Sequence, residues 1–114
     1  MRTFTCVERI YEIFTTEEFD KDFNKLDKSI RYPIEKEINK LKTNPYSGRP
    51  LGYKFFREKK IKNYRFYYLI YESQIVIFAI AISDKKDQQE VIDTIKSMLP
   101  YYREEIKKKL SSLP

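Results

Sequence analysis

The stretch NYRFYYLIYESQIVIFAIAIS, residues 63–83, decides what kind of fold this chain can adopt. Its first half alternates. Tyr64, Phe66, Tyr68 and Ile70 fall on one side of an extended segment and Arg65, Tyr67, Leu69 and Tyr71 on the other, because successive side chains of a strand point to opposite faces. Arg65 therefore belongs to a face that can hold aromatics beside charge. The second half, IVIFAIAI at residues 75–82, is apolar on both sides and rich in β-branched residues, the pattern of a central strand covered on at least part of both faces. Ser73 and Gln74 supply a turn between the two, and residues 54–60 read as one further strand ahead of them, which makes an antiparallel meander.

Upstream of the meander the period is helical. Residues 11–14 (YEIF) read as a short strand whose pairing with IVIFAIAI completes a four-stranded sheet. Thr15 and Glu18 have the spacing of a capping box, and Phe19, Phe23 and Leu26 then recur on one helical face. A second helix starts between Lys28 and Pro33, with Pro33 in or near its first turn, and presents Ile34, Ile38 and Leu41 before it ends at Asn44-Pro45. The two make an αα-hairpin. PYSGRPLG, residues 45–52, holds both glycines and two of the five prolines, so it is a turn-rich connection. After the meander, Ser83-Asp84 caps a helix carrying Val91, Ile95, Met98 and Leu99, Pro100 stops or kinks it, and Tyr102, Ile106 and Leu110 continue at helical spacing. The expected class is α+β: a four-stranded antiparallel sheet packed by an N-terminal αα-hairpin, with a C-terminal helix, in the order β-α-α-β-β-β-α. One domain spans residues 1–114, with a short helical extension from about residue 100.

Composition narrows the chemistry. A chain of 114 residues with 41% hydrophobic residues can bury one modest core. The longest apolar run has eight residues, too short to span a membrane, and MRTFTCVERIY lacks the apolar core of a signal peptide, so a cytoplasmic protein with no membrane partner is expected. The lone Cys6 cannot close an internal disulfide. With no His, the usual zinc constellations and any His-based triad are excluded, and no metal or cofactor is expected.

Charge is concentrated. Of the net +6, residues 1–53 contribute +1, residues 54–65 contribute +5 and residues 66–114 contribute nothing. A cluster of this kind is the footprint of a polyanion site; a solvated edge strand protected by its lysines has the same signature. The Lys107 to Lys109 run reads as a helix end favoured by the macrodipole.

Three pieces in this order resemble the RelE/ParE family of toxins from type II toxin-antitoxin systems. NPYSGRPLGY resembles the family's turn from helical hairpin to sheet, KNYRFYYLIY its characteristic arginine-bearing strand, and IVIFAIAISDKKDQQEVI its last strand running into a basic segment. The resemblance implies either of two activities, or a degenerate toxin that is not catalytic and binds antitoxin only. RelE-like members are ribonucleases that cut mRNA on the ribosome, and ParE-like members inhibit DNA gyrase. It also implies a cognate antitoxin as partner, with Phe55, Phe56 or the terminal segment from Tyr101 offering apolar surface.

Metal-independent RNA cleavage needs a base for the 2'-hydroxyl, a cation for the phosphorane and an acid for the leaving oxygen. Arg65 matches the family's strand arginine, and its planar fork suits a phosphate. Lys60 and Lys86 match basic positions of the family, so these three are the catalytic candidates. Arg57, Lys59, Lys62 and Lys85 are candidate nucleic-acid contacts, with Tyr67 as a stacking surface for a base. Two positions depart from the RelE pattern: a basic strand position is Glu58, and a tyrosine position is Ile92. Glu58 is a candidate base or a cross-strand ion-pair partner, and Tyr101 or Tyr102 is a candidate replacement for the tyrosine.

Overall fold

A computed structural model describes residues 9–112; Cys6 lies outside them. The elements run β1 (Glu12–Thr15), α1 (Glu17–Lys25), α2 (Lys28–Leu41), a 3-10 turn (Pro45–Ser47), β2 (Arg49–Tyr53), β3 (Phe56–Ile61), β4 (Tyr64–Tyr71), β5 (Val76–Asp84), α3 (Gln88–Ser97) and α4 (Leu99–Ser111). The α+β class stands. The sheet has five strands rather than four, in the order β1-β5-β4-β3-β2, and it is mixed, because β1 lies parallel to β5. The additional strand, β2, comes from the Gly- and Pro-rich connection. Arg49 pairs with Glu58, Pro50 with Arg57 and Tyr53 with Phe56, with an irregularity in between. Pro50 is tolerated there because β2 is an edge strand.

Each face of the sheet carries its own core. Phe66, Tyr68 and Ile70 of β4, with Ile77, Ala79 and Ile82 of β5, pack with Phe19 of α1 and Ile34 and Leu41 of α2. On the other face Tyr67, Leu69, Phe78 and Ile80 meet Ile92 and Ile95 of α3 and Tyr102 and Ile106 of α4. The two-sided apolar run is thus β5, an interior strand covered on both faces. Burial of each such large side chain contributes about 1.5–3 kcal/mol. Tyr67 pairs with Ala81 and Tyr68 with Ala79, so Ile80 is an extra residue in β5. This bulge turns Ile80 and Ala81 to the same side, and both join the core beneath α3 and α4.

Helix boundaries depart locally from the sequence expectation. Thr15 closes β1, and it is Thr16 that caps α1, accepting from the Phe19 N–H at 3.0 Å. The Thr16 hydroxyl also donates to the Ile80 carbonyl at 2.7 Å, tying the helix start to the bulge. Thr16→Ala removes both bonds and is expected to lower stability by about 1–2 kcal/mol in a denaturant titration. The helix α2 begins at Lys28 behind Asp27, which places Pro33 in its second turn. A proline there cannot donate to the carbonyl four residues back, and the freed Ser29 carbonyl instead accepts from Lys62 Nζ at 3.4 Å. Ser83 and Asp84 remain in β5, and α3 starts after Asp87, whose N–H donates to Asp84 Oδ1 at 3.0 Å. Pro100 sits in the first turn of a separate helix, α4, where its missing N–H costs nothing. No helix among the described residues is long and apolar enough to cross a membrane.

Candidate functional site

The β3–β4 hairpin determines which cations share a face. Lys60 pairs with Arg65 and Glu58 with Tyr67 across the ladder, and Arg65 pairs with Ser83 on the other side. The strand period then places Glu58, Lys60, Arg65 and Tyr67 on the α3 side of the sheet, and Arg57, Lys59 and Ile61 on the α2 side. A pocket of about 470 Å³ opens beside the first set, lined by Ser47, Gly48, Arg49, Glu58, Lys59, Lys60, Arg65 and Gln88.

Arg65 is buried, 8% exposed, and its Nη1 has no hydrogen-bond partner. Among the described residues no carboxylate forms an ion pair with it. An unpaired buried guanidinium nitrogen is costly, and it belongs to a residue that lines the pocket. Glu58, equally buried, is committed. Its Oε2 accepts from Arg49 Nε at 2.8 Å and lies 2.7 Å from Arg49 Nη2, while Gln88 Nε2 donates to Oε1 at 2.9 Å and to Oε2 at 3.2 Å. Lys60 is exposed at the rim.

The floor is held from below. The Tyr68 hydroxyl donates to the Pro45 carbonyl at 2.7 Å and accepts from the Gly48 N–H at 3.1 Å, pinning the turn before β2 against the sheet. Burial pushes the Tyr68 hydroxyl up to about 12, so it stays a donor at neutral pH. Tyr67 is fully buried, and burial raises its hydroxyl too. Since Ser83 Oγ donates to the Asp84 carbonyl at 3.0 Å, the 2.8 Å bond between Tyr67 and Ser83 is donated by the tyrosine. The stacking surface expected of Tyr67 is therefore absent, because α3 and α4 cover that face.

The family model described as "ParE toxin of type II toxin-antitoxin system, parDE" matches residues 13–89, a span that contains every residue lining the pocket. The chain belongs to the ParE toxin family. The toxin's fold is similar to that of RelE in the intact E. coli RelBE toxin-antitoxin complex, with TM-score 0.60 and 20% identity over 65% of this chain and 95% of that one. A free E. coli RelE mutant gives TM-score 0.64 and 18% identity over 75% and 92% of the two chains. The archaeal RelE-RelB complex from Pyrococcus horikoshii gives 0.59 and 15% over 67% and 96%. No curated protein sequence matches the chain.

Of the expected site residues of this ParE-family toxin, Arg65, Lys60 and Lys59 all line the pocket. The Lys59 ammonium is paired 3.2 Å from Glu37. Lys40 and then Lys59 hold the Glu37 carboxyl below its usual range. Arg57 is spent on structure: it donates to the carbonyls of Lys54, Tyr46 and Gly48 at 2.8 to 2.9 Å and lies over the Tyr46 ring. Lys62 turns the hairpin with φ 53° and bonds Ser29. Lys85 and Lys86 are exposed in the turn after β5, outside the pocket lining.

Neither terminal tyrosine replaces the one absent at Ile92. Tyr102 is buried edge-on against Phe78 with ring centroids 6.0 Å apart, Tyr101 packs on Tyr102, and Ile92 is core. The partner of Phe78 in β4 is Leu69, about 13 Å along the strand from Arg65. Among the described residues no group of three His, Cys, Asp or Glu converges to hold a metal.

Arg49 and Gln88 were not expected at the site. Arg49 lay in a stretch read as loop, and nothing in the sequence marks Gln88 as the residue of α3 that faces the pocket. The only available signal was that Arg49 lies inside the family-like turn NPYSGRPLGY.

Proposed function

We propose that this toxin is an mRNA endoribonuclease that inhibits translation by metal-independent cleavage of mRNA on the ribosome. The observation that carries the reading is the buried Arg65, whose Nη1 is unpartnered and which lines a pocket together with Lys60 and one carboxylate. In this scheme Glu58 takes the proton of the 2'-hydroxyl, Arg65 binds the negative charge that grows on the phosphorane, and Lys60 protonates the leaving 5'-oxygen. Lys62, Lys85 and Lys86 would meet flanking phosphates and orient the strand. Added to translating ribosomes, antitoxin-free protein is expected to cut mRNA at defined positions and stop synthesis. Intact mRNA with unimpaired translation would refute the proposal.

A second reading, inhibition of DNA gyrase without nuclease activity, is favoured by the ParE family model and by the burial of Ile92 in the core. A supercoiling assay separates the two, since only this reading expects inhibition there.

The partner that restrains the toxin is a cognate antitoxin, as in the RelBE complexes whose folds it shares. A groove of about 730 Å³ at the far end of the sheet suits it. Phe55, Tyr71 and Leu99 supply apolar surface there, and Lys54 and Arg103 are cations for an acidic segment. Phe56 is fully buried and takes no part.

A further inference from the structure

Glu58 is an odd base as it stands. Both of its oxygens are engaged, Oε2 by Arg49 and Gln88 and Oε1 by Gln88, so the carboxylate is occupied before a substrate arrives. The exposures of the partners suggest how this changes. The Glu58 side chain is 7% exposed, whereas that of Arg49 is 66% exposed, so the guanidinium sits at the mouth of the pocket with the carboxylate beneath it. Arg49 is attached to Oε2, while Oε1 accepts only from Gln88. Gln88 spans both oxygens, from the first turn of α3.

We propose that Arg49 is a transferable cation, leaving Glu58 for a phosphodiester of bound RNA, and that Gln88 is the positioning residue that holds the freed carboxylate in place. The inference rests on the ribonuclease reading above. A phosphodiester presents two non-bridging oxygens with one negative charge, the same fork that a carboxylate offers a guanidinium. With Arg49 on the phosphate, Glu58 Oε2 is released from the ion pair and is free to accept the 2'-hydroxyl proton while substrate is present. The proton of the 2'-hydroxyl then passes to Glu58, the 2'-oxygen forms its bond to phosphorus, and the bond from phosphorus to the 5'-oxygen breaks. That oxygen takes a proton from Lys60, and the products are a 2',3'-cyclic phosphate and a free 5'-hydroxyl. Arg65, which has no carboxylate to leave, binds throughout.

The test uses the full toxin and ribosomes programmed with mRNA that is 2'-O-methylated at the target codon, which binds and cannot react. Arg49→Gln alone would strand a buried carboxylate and weaken folding, so Arg49 is tested in a Glu58→Gln background, with thermal unfolding as the control. Glu58→Gln is expected to bind about tenfold tighter than wild type, because Arg49 starts free. Adding Arg49→Gln should reverse this by about tenfold or more and flatten the salt dependence by roughly one phosphate contact, a slope change of about 0.7. If Arg49 is only a structural partner of Glu58, the second substitution changes neither affinity nor slope, and the proposal is overturned. On unmodified mRNA, Gln88→Leu in the otherwise wild-type toxin should lower kcat by about tenfold at unchanged KM, assayed well below the melting temperature measured for that variant. An unchanged kcat removes Gln88 from the scheme. Wild-type protein that leaves unmodified mRNA intact defeats the ribonuclease reading instead, while the slopes still report on Arg49.

Discussion

Arg65→Met is expected to lower mRNA cleavage by about a hundredfold to a thousandfold while leaving the toxin at least as stable as wild type. The kinetic half follows from the place of the guanidinium. It is 8% exposed and its Nη1 makes no hydrogen bond, so it is a preorganised donor in the pocket wall, and loss of one such donor removes about 2.7–4 kcal/mol of transition-state stabilisation. The stability half follows from what Arg65 lacks. A buried cation with no carboxylate partner among the described residues contributes desolvation cost and no ion pair. An unbranched apolar side chain of similar length relieves that cost, the usual trade between function and stability at a site. Arg65→Lys should be nearly as inactive, since an ammonium cannot reproduce the fork. Cleavage assays beside thermal melts check both halves; a variant that is active, or one that is inactive only because it unfolds, contradicts the prediction.

Gly48→Ala should be the most destabilising single methyl in the chain, lowering stability by about 3 kcal/mol. A Cβ at Gly48 would lie 2.5 Å from the Tyr68 hydroxyl and 2.7 Å from the Glu58 carbonyl oxygen. Neither neighbour can yield. The carbonyl belongs to the backbone of β3, and the hydroxyl is fixed between Pro45 and Gly48 itself. Relieving the clash means lifting the turn before β2 off the sheet, which leaves the buried Tyr68 hydroxyl without partners. For a domain of this size the change corresponds to a melting-temperature drop of about 12–20 °C. Because Arg49 follows Gly48 directly, the Arg49 contact to Glu58 should loosen with it, and any surviving activity should carry an altered salt dependence.

The sequence is most legible where one periodicity governs a whole element. Alternation in residues 64–71 and the two-sided apolar run of β5 describe the meander correctly, and the spacing of Phe19, Phe23 and Leu26 describes α1. Alternation carries no information on strand direction, so the parallel pairing of β1 was invisible. The pairing of β2 was hidden by Gly52 and Pro50, which lower strand propensity yet suit an irregular edge. At the site, Arg65 and Lys60 were legible because their facing depends only on the β3–β4 hairpin. Arg49 and Gln88 depend on the register of β2 and on how α3 docks, neither of which is written in a local pattern. Tyr67 misled for a related reason: its face is the one that α3 and α4 cover, and a strand pattern does not say which face a later helix will occupy.

The parallel ladder between β1 and β5 also sets when this toxin can exist during its own synthesis. The bond from Thr16 to Ile80 joins residues 64 positions apart, and contacts of such separation form late, after most of the chain is available. As the chain emerges, α1 and α2 can pair at once, but β1 has nothing to lie beside until β5 has left the exit tunnel. The pocket is later still, because Gln88 follows β5 and its amide reaches Glu58 only once α3 has docked. A nascent chain therefore carries its positive charge long before it carries a competent site.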